Sequence, residues 1–453
     1  MKDIGRVLLA TALFAAPAAA GVEHGVELLP LPSRVDVSSS VSAAQSERIN
    51  RQIPPNAAPV LSDKSLEKSA VGPGYTFIPL PAFTYDRNEG AWVGALVPIF
   101  RANAKGQIED IYAPLYLRNA LIGDTFTFNY FGYRSETRQY HVILSHATKV
   151  ERVVDLSYQD TGVDDGRYIV SLQANSGKSA FNRFFGFGNK VGEQKESNYA
   201  MGDSNLVAGG GVNLGRSVDL IASERYRRVS IENGVVSSLP QTINAFPTAP
   251  GIDGADIWGQ AVTLSYDTRD NQLTPTKGTY ATFKSELDQN FEPDNRFHWW
   301  RLTAEARNYL PHDGGRAVFV SHVLVDDIPA DSKGLVRGGV PFYERPTLGG
   351  EDTLRAFGRG RFVGNAALLL NLEERVSLVK AAIMGNVIEI EAAPFVDIGR
   401  VSKRLASDKA FHDVQADPGI GLRLLARPNI ASRLDVAYGR DGTAVFVGLD
   451  YPF

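Results

Sequence analysis

The chain has 453 residues, a formal net charge of −4, 43% hydrophobic and 10% aromatic residues, 43 Gly and no Cys. Lack of Cys excludes disulfides and thiolate metal sites, and the slightly acidic balance gives no case for nucleic-acid binding. A mean hydropathy of −0.15 leaves no room for several apolar helices of ~20 residues, while the apolar content is too high for a disordered or collagen-like chain.

Residues 1–20 read as a Sec-type signal peptide. Lys2 and Arg6 precede the apolar run Val7–Ala20, and Ala18 and Ala20 offer the small side chains needed for cleavage before Gly21. Residues 21–74 are polar and rich in Ser, Ala and Pro, as in Ser38–Ser46 and Ile53–Val60. They read as a periplasmic arm or linker.

From Tyr75 to Phe453 the pattern has period two. In Ile257–Asp270, Trp258, Val262, Leu264 and Tyr266 share one face with Gln260; Gly259, Ala261, Thr263, Ser265 and Asp267 share the other. Val154, Leu156 and Tyr158 oppose Val153, Asp155, Ser157 and Gln159, and Leu434, Val436 and Tyr438 oppose Arg433, Asp435 and Ala437. Near the end Val445, Val447, Leu449 and Tyr451 oppose Ala444, Phe446, Gly448 and Asp450. Each is a strand with one apolar and one small or charged face.

A soluble β-sandwich alternates too. Three features favour a transmembrane barrel: segments of about 10 residues or more, close to a tilted membrane span; charges opposite the aromatics, as a wet lumen requires; and aromatics towards strand ends. Tyr130, Tyr158, Trp258, Tyr266, Trp299, Trp300 and Tyr438 would form the interfacial girdle. Candidate strands begin near residues 75, 90, 108, 124, 138, 151, 165, 198, 216, 257, 277, 297, 315, 364, 384, 417, 431 and 443. Closure needs an even number, and we take 16 of the 16–18, since some early segments are weak. The long connections, about 178–197, 234–256, 330–363 and 400–416, are expected outside the cell.

Tyr343–Val376 holds a Gly349-Gly350 step, Leu354-Arg355-Ala356-Phe357, and Asn371-Leu372-Glu373. Phe395-Val396-Asp397-Ile398-Gly399 follows; Tyr266–Asn271 with Pro275 and Gly278, Phe184–Asn189 and Gly419–Arg423 add further pieces. In this order they resemble the BamA/TamA outer-membrane superfamily, also called bacterial surface antigens, over about Tyr75–Phe453. Asn371, Glu373 and Arg375 share one strand face, and Phe395, Asp397 and Gly399 another. The resemblance implies that the long loop folds into the barrel and Arg355 meets Glu373 and Asp397, a pairing that suits the planar guanidinium fork. The alternative is that Arg355, Arg359 and Arg361 are solvated loop charges. Ala356 stands where the family has Gly, so a backbone needing φ > 0 there would be strained. Gly448, Tyr451 and Phe453 resemble the C-terminal signal of such barrels, an edge strand ending on an aromatic.

The resemblance implies an outer-membrane protein that helps insert, assemble or translocate proteins or lipids through a weakly paired seam between first and last strands. Its partners would be outer-membrane lipid and client polypeptides or periplasmic proteins, with the barrel a monomer. Residues 21–74 are too short and polar for the family's POTRA modules, so a member lacking them is expected. No Gly-x-Ser-x-Gly, phosphate-binding loop or His-Glu-x-x-His is present. His141 and His146 fall on opposite strand faces. No enzyme activity, cofactor or metal is therefore expected; a passive channel and a rim-sited enzyme are the alternative classes.

Overall fold

The computed structural model describes residues 74–453 except 78, 104–107, 136, 216, 272–273, 292–296, 330–338, 384–385, 406–412, 427–429 and 449–450. The expected signal peptide and arm lie outside the described residues.

Alternating sequence becomes one closed antiparallel barrel. Its strands are β1 (Gly74–Phe77 continuing as Leu80–Asp86), β2 (Gly90–Leu96 continuing as Ile99–Ala102), β3 (Ile108–Asn119), β4 (Gly123–Tyr133), β5 (Arg138–Ala147) and β6 (Arg152–Val163). Then come β7 (Tyr168–Phe184), β8 (Ser197–Gly215), β9 (Val218–Asn233), β10 (Ala255–Asp267), β11 (Gly278–Asn290) and β12 (Phe297–His312). The last six are β13 (Ala317–Asp327), β14 (Ala366–Ile383), β15 (Asn386–Ser402), β16 (Gln415–Ala426), β17 (Ile430–Gly439) and β18 (Gly442–Gly448).

The barrel has 18 strands, not the expected 16. All eighteen candidate starts carry a strand, and the discounted early hairpin is real. Its two strands are each broken at a proline, Pro79 and Pro98, which has no N–H for the ladder. Both halves still pair: Gly74–Phe77 with Ile99–Ala102, and Leu80–Asp86 with Gly90–Leu96.

In the strands read by parity above, most faces lie where alternation puts them. Trp258, Val262, Leu264 and Tyr266 point outward, while Ala261, Ser265 and Asp267 are buried inside. Val154, Leu156, Tyr158, Val436 and Tyr438 point out; Val153, Asp155, Arg433, Asp435 and Ala437 point in. Trp299 departs from the girdle expectation. It faces inward beside Phe342 and Tyr343 in an apolar cluster, because adjacent Trp299 and Trp300 must take opposite faces.

The long connections, 185–196, 234–254, 328–365 and 403–414, all join an odd-numbered strand to the next and so leave the same rim. They are shorter than expected at several ends because β7 continues to Phe184, β10 starts at Ala255 and β15 runs to Ser402.

Candidate functional site: a loop anchored in the lumen beside a weak seam

The 328–365 loop turns inward and crosses the lumen. Thr347–Leu348 and Phe362–Val363 pair as a small hairpin within it. Gly349 and Gly350 have φ of 112° and 109°, and a Cβ at Gly349 would stand 2.4 Å from the Gly358 oxygen, so the Gly-Gly step needs glycine at that close approach. Leu354 and Phe357 are fully buried, packed with Leu348, Phe362, Leu369 and Phe395.

At the loop tip Arg355 forks onto Asp397: Nε donates to Oδ2 at 2.8 Å and Nη2 to Oδ1 at 2.8 Å. Nη1 donates to Glu373 Oε2 at 2.7 Å. The guanidinium carbon lies 3.3 Å from the centre of the Phe395 ring. Burial alone would lower the Arg355 pKa, but Asp397 and Glu373 outweigh it and raise it.

Register explains why a cation is needed. Asn371, Asp397 and Asp417 stand side by side across β14, β15 and β16, and like charges directly opposite destabilise a sheet. The loop answers both carboxylates: Arg355 covers Asp397, and the Ala356 N–H donates to Asp417 Oδ2 at 2.6 Å. Asn371 Nδ2 donates to Asp397 Oδ1 and to the Thr353 oxygen.

The other motif residues act through space rather than charge. A Cβ on Gly399 would come 3.0 Å from Leu348 and 3.3 Å from Leu354, so that glycine seats the loop. Ala356 is not among the residues with positive φ, so it carries no backbone strain. Its methyl sits against Gly439, where a Cβ would lie 2.8 Å from it. The departure from the family's glycine is thus accommodated by an absent side chain on β17.

Several functional residues escaped sequence reading. Arg423 links Glu373 (3.0 Å) to Asp435 (2.6 Å), Arg375 reaches Glu373 at 2.9 Å, and Arg433 reaches Glu351 at 2.8 Å. On the opposite wall Glu344, within the same loop, meets Arg227 at 2.5 Å and Arg225 at 3.2 Å. Arg227 also bonds Asp203, and Arg225 bonds Asp288. Burial pushes the Glu344 carboxyl up, but Arg225 and Arg227 overcome this and hold it at about 2. The loop therefore has two charged anchors on different walls. Glu344 lay in the motif stretch, but nothing in the stretch marked it as a ligand of distant strands.

The C-terminal residues correct another expectation. Tyr451 and Phe453 do not extend an outward-facing edge; both are buried in the lumen. The Tyr451 hydroxyl donates to Glu391 at 2.7 Å, and Arg375 lies 3.7 Å from its ring centre. Phe453 stacks on His322, and Arg355 lies 5.4 Å from its ring centre. Polar and cationic partners inside outweigh the pattern that puts Tyr451 with Val445 and Val447. Gly448 ends the described β18 ladder, opposite Arg433.

Closure between β1 and β18 is slight. Among the described residues one pair, Tyr85 and Val447, is in register, and Thr84 Oγ1 donates to the Val447 oxygen at 2.8 Å. At the long-loop rim Arg87 donates to the Asp441 and Ala356 oxygens, and Arg361 Nε donates to Asp441 Oδ2 at 2.5 Å. The loop tip thus touches the turns on both sides of the seam.

The Omp85 superfamily domain matches residues 139–444. The chain belongs to the Omp85 superfamily. Barrels of the Omp85 superfamily reside in the bacterial outer membrane. BamA from Haemophilus ducreyi lacking POTRA domains 1–3 shares the fold, with 14% identity, TM-score 0.52, 82% of this chain and 74% of that chain covered. CdiB from Acinetobacter baumannii (12% identity, TM-score 0.45, 83% and 59% covered) and CdiB from Escherichia coli (12%, 0.46, 89% and 73%) also align. No curated protein sequence matches the chain. The described residues of this Omp85 barrel include no POTRA module.

Proposed function

We propose that this barrel assists insertion, assembly or translocation of polypeptides at the outer membrane by opening the β1–β18 seam to a substrate strand. The observation that carries this reading is that, among the described residues, one pair is in register at the seam, whereas β15–β16 and β16–β17 have continuous ladders. An unpaired strand edge is a template for another strand. The described ladder of β18 has 7 residues, and β8 has 19; at about 3.3 Å per residue these are about 23 Å and 63 Å of strand. The short side would thin the bilayer where a client enters. The anchored loop braces the wall beside the seam, and no step of this activity is a chemical reaction.

The native chain has no cysteine, so single cysteines at Tyr75–Phe83 or Val445–Val447 give clean crosslinks to a radiolabelled client barrel during its insertion into liposomes. Client adducts at both edges, with accelerated client folding, are the expected result. A Tyr85→Cys/Val447→Cys disulfide that leaves client folding at full rate would overturn the seam reading. A passive channel would instead show steady conductance that rises when residues 350–361 are deleted.

A further inference from the structure

The outer face of β3 and β5–β7 at the long-loop rim carries a row of basic side chains that the seam does not use. We propose that this row binds the headgroup of a multiply phosphorylated lipid in the leaflet around that rim. His146, Arg152 and Lys178 stand in register on adjacent strands. All three take outward positions, since Ile143, Asp155 and Asn175 on their strands face the lumen. Neighbouring strands lie about 4.8 Å apart, so the three side chains form one continuous strip. Lys149 in the β5–β6 turn and Arg118 on β3 extend it, and both are exposed.

The protein neutralises the strip only in part. Asp124 pairs with Arg118 at 2.8 Å and Glu232 with Lys178 at 2.5 Å. Glu151 turns inward and accepts the Ala180 N–H. Arg152 has no carboxylate partner among the described residues. Arg152 and Lys178 face each other directly across an antiparallel pair, and Glu232 answers Lys178 alone, which leaves the Arg152 side of the pair open to a second anion. Immediately below on the same face are exposed Leu144 and Val154. The strip therefore stands one side-chain repeat, about 7 Å, above the apolar belt, at the depth of lipid phosphates. The other flank at this rim differs: Arg228 on β9 is held by both oxygens of Asp256. Several cations in a line suit two phosphates on one headgroup better than one.

Lipid retention by the refolded full chain, read by native mass spectrometry, tests the assignment. The probes are diphosphoryl lipid A, dephosphorylated lipid A and phosphatidylglycerol. Diphosphoryl lipid A should be retained about tenfold over either of the others. Arg152→Gln/Lys178→Gln should remove that preference, while Arg228→Gln keeps it. Heat-modifiable migration reports folding; if the double variant fails it, Arg152→Gln alone decides, with an expected loss of about twofold. Unchanged retention in the folded variants overturns the site. Equal retention of phosphatidylglycerol overturns its assignment to a diphosphorylated lipid.

Discussion

The seam and the wall of β14–β17 are separated by β18 alone, yet they are built on opposite principles. At the seam, among the described residues, one backbone pair and one threonine hydroxyl join β1 to β18. In the wall, Arg355, Arg375 and Arg423 converge on Glu373, and Asp397 and Asp435 complete the network. The contrast teaches that rigidity is concentrated next to the sparsely paired edge that we propose opens. A loose edge on a loose wall would fray; on a braced wall it can part without unravelling the sheet.

The largest stability effect is expected from removing the wall's central acid. Asp397→Ala leaves buried Arg355 without its bidentate partner and should cost about 3–5 kcal/mol. Urea unfolding of the refolded barrel measures it. Trypsin should also begin to cut at Arg355, Arg359 or Arg361, which the native fold shields. An unchanged midpoint and a resistant loop would mean that the loop is held by packing alone.

Glu344→Gln tests the second anchor and should cost about 1–3 kcal/mol, because Arg225 and Arg227 keep Asp288 and Asp203. It also carries a pH signature. The Glu344 pKa is depressed from 4.5 to about 2, so its anchoring is complete above about 4.5 and fades as pH falls towards about 2. Acid titration followed by tryptophan fluorescence, with Trp299 in the cluster that holds Phe342 and Tyr343, should lose this component in the variant. An identical acid profile would place the second anchor's strength elsewhere.

Gly439→Ala should overpack the loop tip by about 1–3 kcal/mol, since the new methyl would lie 2.8 Å from that of Ala356. Ala356→Gly added to it should recover most of the loss. The check is a double-mutant cycle on unfolding midpoints; strict additivity would show that these two positions do not touch.

These tests fall on residues of unequal legibility. Strand faces were readable because the side-chain period is two, so Asp155 and Trp258 sort by parity alone. Arg355, Glu373 and Asp397 were named from a resemblance, and their geometry follows from the register that sets Asn371 beside Asp397. Glu344, Arg225 and Arg227 were not legible: |i−j| exceeds 100 for each pair, and no local period links a loop glutamate to strands across a lumen. Tyr451 misled for a related reason. Alternation assigned it outward, but its partners Glu391 and Arg375 lie on other strands, and their pull is invisible to a pattern along one segment. Strand number failed where early segments were discounted as weak; Pro79 and Pro98 interrupt β1 and β2 without ending them.

The smallest expected effect lies at the seam itself. Thr84→Val keeps shape and β-propensity but removes the hydroxyl that donates to the Val447 oxygen. A neutral hydrogen bond contributes about 1 kcal/mol, so the unfolding midpoint should barely move while the wall stays intact. Among the described residues the two edges share little besides this bond, the Tyr85–Val447 pair and the Arg87–Asp441 hydrogen bond at the rim, so under the proposed seam opening the same change is a sizeable fraction of what holds the edge. One kcal/mol corresponds to about fivefold in population. Client crosslinking at a cysteine replacing Val445 should therefore rise by about that factor. A rise in crosslinking with an unmoved midpoint would separate seam from wall as two independent mechanical elements. A loss of stability matching that of Asp397→Ala would show instead that they are one.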